Sequence, residues 1–360
     1  MARTGRPRFG YTASMLQAFD QVWPAFVLVT GLLLVGVVAE RDGVFASAGA
    51  ALARLPTGGV ATYVVSLGLV TAVTALLNLD TSVFFLTPVL LHLARQRGVD
   101  ELPYLYGAVF MSNAGSLFLP GSNLTNLIVL HGAHVSGLVF LSHMWPAAVA
   151  APLTTAAVLA VLFRRELARH GERDDEPAPL HLGLGLAAIA VSTLLVLFLA
   201  RPALPVLGVG LVAVLAARID RHHVLEVIGP VTLAGLFLVA VALGTLGRHW
   251  HGPASLLDSA GRAGTAAIGA VVAVCVNNLP ASVLLSPTLP AHPRALLIGL
   301  NLGPNLAVTG SLSAILWLRV ARSLGATPSI ARYSKLGAVV VPVSIATALA
   351  ALWLVEPGSL

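Results

Sequence analysis

The chain is poor in charge and in cysteine, and each shortage closes a route. Asp, Glu, Lys and Arg make up 10% of its 360 residues, against about 25% in soluble globular domains. With 57% of its residues hydrophobic, a water-soluble fold of this size could not hide its apolar surface. The single cysteine, Cys275, excludes an internal disulfide. Motifs of soluble chemistry are missing as well. There is no Gly-x-x-x-x-Gly-Lys phosphate loop, no His-Glu-x-x-His metal helix and no Gly-x-Ser-x-Gly nucleophile turn. No enzyme, no resident metal and no cofactor are therefore expected. The formal net charge of +6 is spread between apolar runs, which marks membrane topology and not a nucleic-acid partner. Met1–Tyr11 is basic, but the run after it is long and lacks an obvious cleavage site, so no removed leader is expected.

What the chain has is a series of apolar runs separated by short polar stretches. They predict an all-α polytopic membrane protein of the inner or plasma membrane, with the lipid bilayer as its surroundings. The first span is read as Trp23–Ala39, followed by an interfacial amphipathic stretch, Arg41–Arg54. Gly58–Leu77 and Ser82–Ala94 flank the tip Asn78-Leu79-Asp80-Thr81. Tyr104–Leu119 and Leu124–Leu141 flank a polar break, and Pro146–Phe163 closes a first repeat, 1–163. The polar segment 164–181 reads as a linker to a second repeat, 182–360. That repeat holds Leu182–Ala200, Leu204–Ala217, Pro230–Leu246, Thr265–Val276, Ala281–Leu289, Ala295–Leu318 and Leu336–Val355. Ser82–Ala94 and Ala281–Leu289 are too short to cross about 30 Å of hydrocarbon at ~1.5 Å per residue. Each reads as the return arm of a re-entrant hairpin.

The two halves repeat their polar punctuation. Asn78 stands ten residues before Pro88, and Asn277 ten before Pro287. Asn113-Ala114-Gly115 with Gly121-Ser122 corresponds to Asn301-Leu302-Gly303 with Gly310-Ser311. Paired interrupted segments in two halves point to a transporter binding site. The reading is an inverted repeat with two re-entrant hairpins and two unwound transmembrane helices. Helix ends at such breaks offer free carbonyls to a cation and free amides to an anion or a polarised hydroxyl.

The candidate site residues follow. Asp80 is the only acid placed deep in an apolar region, where a carboxylate is costly and functional by default. It can carry a coupling proton, and it also suits the start of the helix after the tip. Thr81 adjoins it. Asn78, Asn277 and Asn278 end their arms, where Asn is also a common helix terminator. Ser122, Asn123, Thr125 and Asn126 form the densest polar cluster in any apolar stretch, with helix–helix hydrogen bonding as the plainer reading. Asn305, Thr309 and Ser311 are their second-half counterparts. Gly115, Gly121, Gly303 and Gly310 permit unwinding and close backbone approach. Cys275, one turn before the second tip, is expected to be a buried packing residue. His131, His134 and His143 are placed in one solvated outer loop, and His222 and His223 at the interface.

At these motifs the sequence resembles the arsenite/antimonite efflux permeases of the ion transporter superfamily. The resemblance runs through Asn78-Leu79-Asp80, Leu86-Thr87-Pro88 and Ser122-Asn123-Leu124-Thr125-Asn126. In the second half it runs through Asn277-Asn278-Leu279-Pro280, Gly303-Pro304-Asn305 and Thr309-Gly310-Ser311-Leu312. It implies elevator-like alternating access and leaves a homodimer and a separate ATPase subunit open as partners. This chain has Leu79 where the family usually has a second asparagine, and it lacks first-half counterparts of Leu182–Ala200 and Leu204–Ala217. The expected function is proton-coupled export of arsenite or antimonite, as a neutral hydroxide or small oxyanion. The alternative is a sodium-coupled organic-anion carrier on the same fold. With the N-terminus outside, 14 Lys and Arg fall in cytoplasmic segments and 7 outside, as the positive-inside bias requires.

Overall fold

Apolar runs of low polarity become helices, and Gly, Asn and Ser decide where they stop. A computed structural model describes residues 8–54, 59–133, 135–168, 183–250 and 252–355, and no strand occurs among them. The first half holds α1 (Arg8–Arg41), α2 (Val44–Ala53), α3 (Gly59–Leu76), α4 (Leu79–Gln96), α5 (Leu102–Gly115), α6 (Leu124–Val129), α7 (Gly137–Leu162) and the single turn α8 (Arg164–Leu167). The second holds α9 (Leu184–Phe198), α10 (Ala203–Ala217), α11 (Arg221–Ile228), α12 (Pro230–His249), α13 (Gly252–Asp258), α14 (Arg262–Val276), α15 (Asn278–Leu285), α16 (Pro293–Leu302), α17 (Leu312–Ser323) and α18 (Ile330–Val355). Of the linker, 169–181 lies outside the described residues, as does His134.

Five stretches are long and apolar enough to cross a membrane: Tyr11–Arg41, Gly59–Leu76, Gly137–Leu162, Arg221–His249 and Ile330–Val355. With the shorter apolar helices between them, the chain is a multi-pass membrane protein. Burial separates their roles. Of the apolar window in Tyr11–Arg41, 78% is buried inside the protein, against 11% for Arg221–His249. The first is a mast within the bundle and the second faces outward.

Packing pairs recur between the halves. α3 packs on α4 and on α5, as α14 packs on α15 and on α16. α2 lies on α4, and α13 on α15. α4 meets α17 of the other half, and α15 meets α6. α7 packs directly on α18, and α1 on α12. Contacts at the helix ends join segments that the arginine distribution assigns to one face. Arg95 bonds Glu101 (3.0 Å) and the Leu324 carbonyl (3.0 Å). Arg332 pairs with Glu166 at 2.8 Å. Asp42 accepts the Gly185 N–H at 2.7 Å. All of these are cytoplasmic in that assignment. The Arg248 and Arg294 side chains reach the carbonyls of Gln17 (3.3 Å) and His143 (3.4 Å) on the opposite face.

Several element limits differ from the sequence reading. α1 spans 34 residues, because Phe19 and Phe26 hold its first half against Phe237 of α12. α4 spans 18 residues, about 27 Å at ~1.5 Å each, so it is not a short arm. Its first turn includes the polar tip, because Asn78 caps it. Leu124–Leu141 is not one arm. α6 ends at Val129, a turn with Gly132 at φ 85° follows, and α7 starts at a Ser136 cap. Pro146 and Pro152 then lie inside α7 and not at its start. His143 is on α7, outside the loop that holds His131. Cys275 is exposed. α14 packs through Ala266, Gly269, Ala270 and Ala273, and Cys275 is off that face.

Candidate functional site

The residues that break the helices also start the next ones. The Asn78 side chain accepts the Thr81 N–H at 2.7 Å and caps α4. Asn123 accepts the Thr125 N–H at 3.2 Å at the head of α6. Asn277 accepts the Leu279 N–H at 3.3 Å before α15, and the Ser311 hydroxyl accepts the Ala314 N–H at 3.1 Å before α17. Asn78 is therefore the N-cap of the return arm, Asn277 both ends α14 and caps α15, and Asn278 is the first residue of α15. Asp80 is not the cap. It lies in the first turn of α4, with no hydrogen-bond or ion-pair partner among the described residues. Asn277 pays a backbone cost for its place, at φ 77° and ψ 149°, a region that L side chains seldom adopt.

Behind these caps lies a buried amide network that joins the two breaks. The Asn301 Oδ1 accepts from the Ser116 hydroxyl and from Asn123 Nδ2 (2.7 Å). Its Nδ2 donates to Asn126 Oδ1 (2.8 Å) and to the Leu297 carbonyl (2.8 Å). Asn301 thus fills all four of its hydrogen-bonding positions. Asn126 donates to the Ser116 and Leu119 carbonyls, at 2.7 and 3.2 Å. Those carbonyls belong to the unwound stretch and would otherwise be unpaired at membrane depth. Asn113 donates to Asn305 Oδ1 at 2.8 Å, and Asn305 to the Phe110 carbonyl at 3.2 Å.

Both tips and both breaks meet at one small cavity of ≈ 20 Å³. Asp80, Asn123, Asn277, Asn278 and Ser313 supply its polar wall, and leucines, among them Leu279 and Leu312, the rest. That volume holds about one water-sized species. No Lys or Arg lines it. Nearby, Asn78 Nδ2, Thr81 Oγ1, Thr125 Oγ1 and Asn113 Oδ1 are buried without a protein partner, where buried polar groups are ordinarily paired. Among the described residues no group of His, Cys, Asp and Glu is arranged to hold a metal ion.

The remaining expected residues divide. Ser122 donates to the Ala75 carbonyl at 3.1 Å and ties the first break to α3. Thr309 turns its side chain outward and contributes only its carbonyl, which accepts from Asn277 Nδ2 at 3.1 Å. Gly115, Gly121, Gly303 and Gly310 all have negative φ, so left-handed backbone is not their role. They allow close approach. A Cβ on Gly303 would sit 2.5 Å from the Ala270 Cα, and one on Gly310 2.7 Å from the Pro304 Cα.

Residues 12–309 match the sequence profile of a family described as citrate transporter. The chain belongs to the citrate transporter family. Its relatives include an uncharacterised transporter of Mycobacterium tuberculosis, 27% identical over 92% of this chain and 86% of the relative. An arsenical pump membrane protein of Escherichia coli is 26% identical, over 95% of this chain and 89% of that protein. Among solved structures, the YdaH transporter of Alcanivorax borkumensis aligns with TM-score 0.57 at 15% identity, covering 96% of this chain and 88% of that one. The fold is shared across that distance. The protein is a membrane transporter.

In this citrate transporter family member, three residues outside the expected set hold the site together: Asn113, Ser116 and Asn301. Asn113 and Asn301 were visible as corresponding positions of the two breaks. Only the structure shows their amides reaching across from one half to the other.

Proposed function

We propose that the protein exports arsenite or antimonite, as the neutral trihydroxide, in exchange for protons taken up at Asp80. Two inverted halves, 1–163 and 182–360, would alternate access to the tip cavity. The observation that carries the reading is Asp80 itself. It is a carboxylate on the wall of the cavity, with no partner among the described residues and no cationic side chain on that wall. A half-buried acid at membrane depth without a counter-charge is costly unless it takes up a proton. Amide and hydroxyl groups of Asn123, Asn277, Asn278 and Ser313 both donate and accept, which suits the O–H groups of a neutral hydroxide. A polycarboxylate would meet Asp80 with no cationic side chain on that wall to offset the repulsion. The arsenical pump relatives support the choice of substrate, and the coupling ion is the proton, with sodium as the other candidate. The reading calls for no resident cofactor. A second copy or a separate ATPase subunit is compatible with it.

The family's description favours a second reading, an organic-anion carrier driven by sodium. One experiment separates the two. Arsenite uptake is measured in everted vesicles with a proton gradient imposed and then collapsed, for the native chain and for Asp80→Asn. Gradient-driven accumulation that disappears in Asp80→Asn, with the protein still inserted, is the expected result. Movement of citrate with sodium, and none of arsenite, would replace the proposal by the second reading.

A further inference from the structure

Two larger cavities flank the tip cavity, and only one of them reaches it. The first, of ≈ 630 Å³, lies between the early part of α1, the α6–α7 loop and the α9–α10 turn, with Asp20, Gln21, His131 and Arg201 on its wall. It shares no lining residue with the tip cavity. The second, of ≈ 150 Å³, runs between α4, α17 and the α11–α12 corner. Asp80 and Leu312 line both it and the tip cavity. Glu226 and Arg319 line it as well, and both are exposed.

On the other side Gln21 stands between the tip elements and the first cavity. Its Nε2 donates to the Ile128 carbonyl (3.1 Å) and the Ser286 carbonyl (2.7 Å), at the ends of α6 and α15. Its Oε1 accepts from Arg248 at 3.0 Å. These bonds join α1, α6, α12 and α15 in one knot, so that approach to the tips is closed.

We infer that the second cavity is the passage between the tip site and the face bearing Glu226 and Arg319, constricted at Asp80 and Leu312, and that it favours neutral or cationic small solutes over anions. The inference rests on the tip cavity being the transport site. The passage carries two carboxylates, Asp80 and Glu226, against one guanidinium, Arg319. Most of the rest of its wall is apolar, including Leu33, Phe84, Leu233, Ile315 and Leu316. Low-dielectric walls focus the field of the charges they hold. An anion would lose strong hydration there while being repelled by a carboxylate, whereas a neutral hydroxide loses weaker hydration and meets no charge repulsion. Arg221, Arg319 and Arg322 mark this face as cytoplasmic by the positive-inside bias.

The test reads accessibility, independently of which substrate is carried. In a Cys275→Ala background, Ile315→Cys and Thr232→Cys are placed on the passage wall and Leu238→Cys on the exposed side of α12. Everted and right-side-out vesicles are treated with a cationic and an anionic thiosulfonate of equal size, and rates are normalised to a free thiol. The two passage cysteines are expected to react from the cytoplasmic face, severalfold faster with the cation. Glu226→Gln should narrow that ratio and Arg319→Gln widen it. Equal rates for the two reagents, reaction from the outer face alone, or no reaction at both wall positions would overturn the passage. Thr232→Cys reads the same wall if Ile315→Cys fails to insert. Failure of arsenite transport with this labelling pattern intact would overturn the substrate reading alone.

Discussion

Asn301 is the residue on which the two breaks depend. Its side chain saturates Ser116, Asn123 and Asn126 of the other half from a fully buried position. Asn301→Ala leaves Asn123 Nδ2 and Asn126 Oδ1 unpaired, at about 1–3 kcal/mol for each unsatisfied buried group, while Ser116 keeps the Asn113 carbonyl. The detergent-solubilised variant is expected to melt well below the native protein in a thermal-shift measurement. Asn301→Asp should also lower the melting point. It keeps the acceptors for Ser116 and Asn123 but turns an acceptor toward Asn126 Oδ1 and the Leu297 carbonyl. Native-like melting of both variants would remove Asn301 from its central place. At this scale the sequence was partly readable. Asp80 stood out because a carboxylate in an apolar run has few structural uses, and Asn78, Asn123 and Asn277 stood out by recurrence. Whether an amide caps its own helix or bonds the opposite half is decided by side-chain direction, which spacing does not encode. Asn301 therefore looked like one more helix breaker.

Helices meet here through small residues, as in other membrane bundles where close van der Waals approach replaces the hydrophobic drive between helices. α16 and the turn after it lie against α14 through Gly299 and Gly303, whose added Cβ atoms would strike the Ala266 carbonyl and the Ala270 Cα. Gly303→Ala is expected to push α16 and the second break off α14, with lower stability and loss of transport. Gly68→Ala, where the space is open, should match the native protein in both assays. Equal behaviour of the two variants would show that the contact yields. The interruptions at 78–81, 113–123, 277–280 and 301–311 were legible because Asn, Gly and Pro break apolar runs there. Lengths were less legible. α4 takes its polar tip into its first turn by capping, and α1 extends over a charged N-terminal stretch because α12 covers it. Both effects are tertiary, and a window of hydropathy does not contain them.

Over the whole molecule, α7 pairs with α18 and α1 with α12, so that helices far apart in the chain lie side by side. The repeated polar motifs led to the expectation of two corresponding halves. They could not foretell the knot of Gln21 and Arg248, since neither residue recurs. Nor could they show that the ≈ 150 Å³ and ≈ 630 Å³ cavities differ in their access to Asp80.

The solitude of Asp80 has an electrical meaning. Under the proposed exchange, a site with one titratable group and neutral cargo would return one proton per cycle, so each turnover would move one net charge across the bilayer. At 100 mV that charge is worth about 2.3 kcal/mol, roughly a fiftyfold concentration ratio of cargo. Transport should then be electrogenic. A potassium diffusion potential, imposed on vesicles without any pH difference, is expected to drive arsenite uptake, whereas indifference to voltage would require a second charge to travel with the cargo.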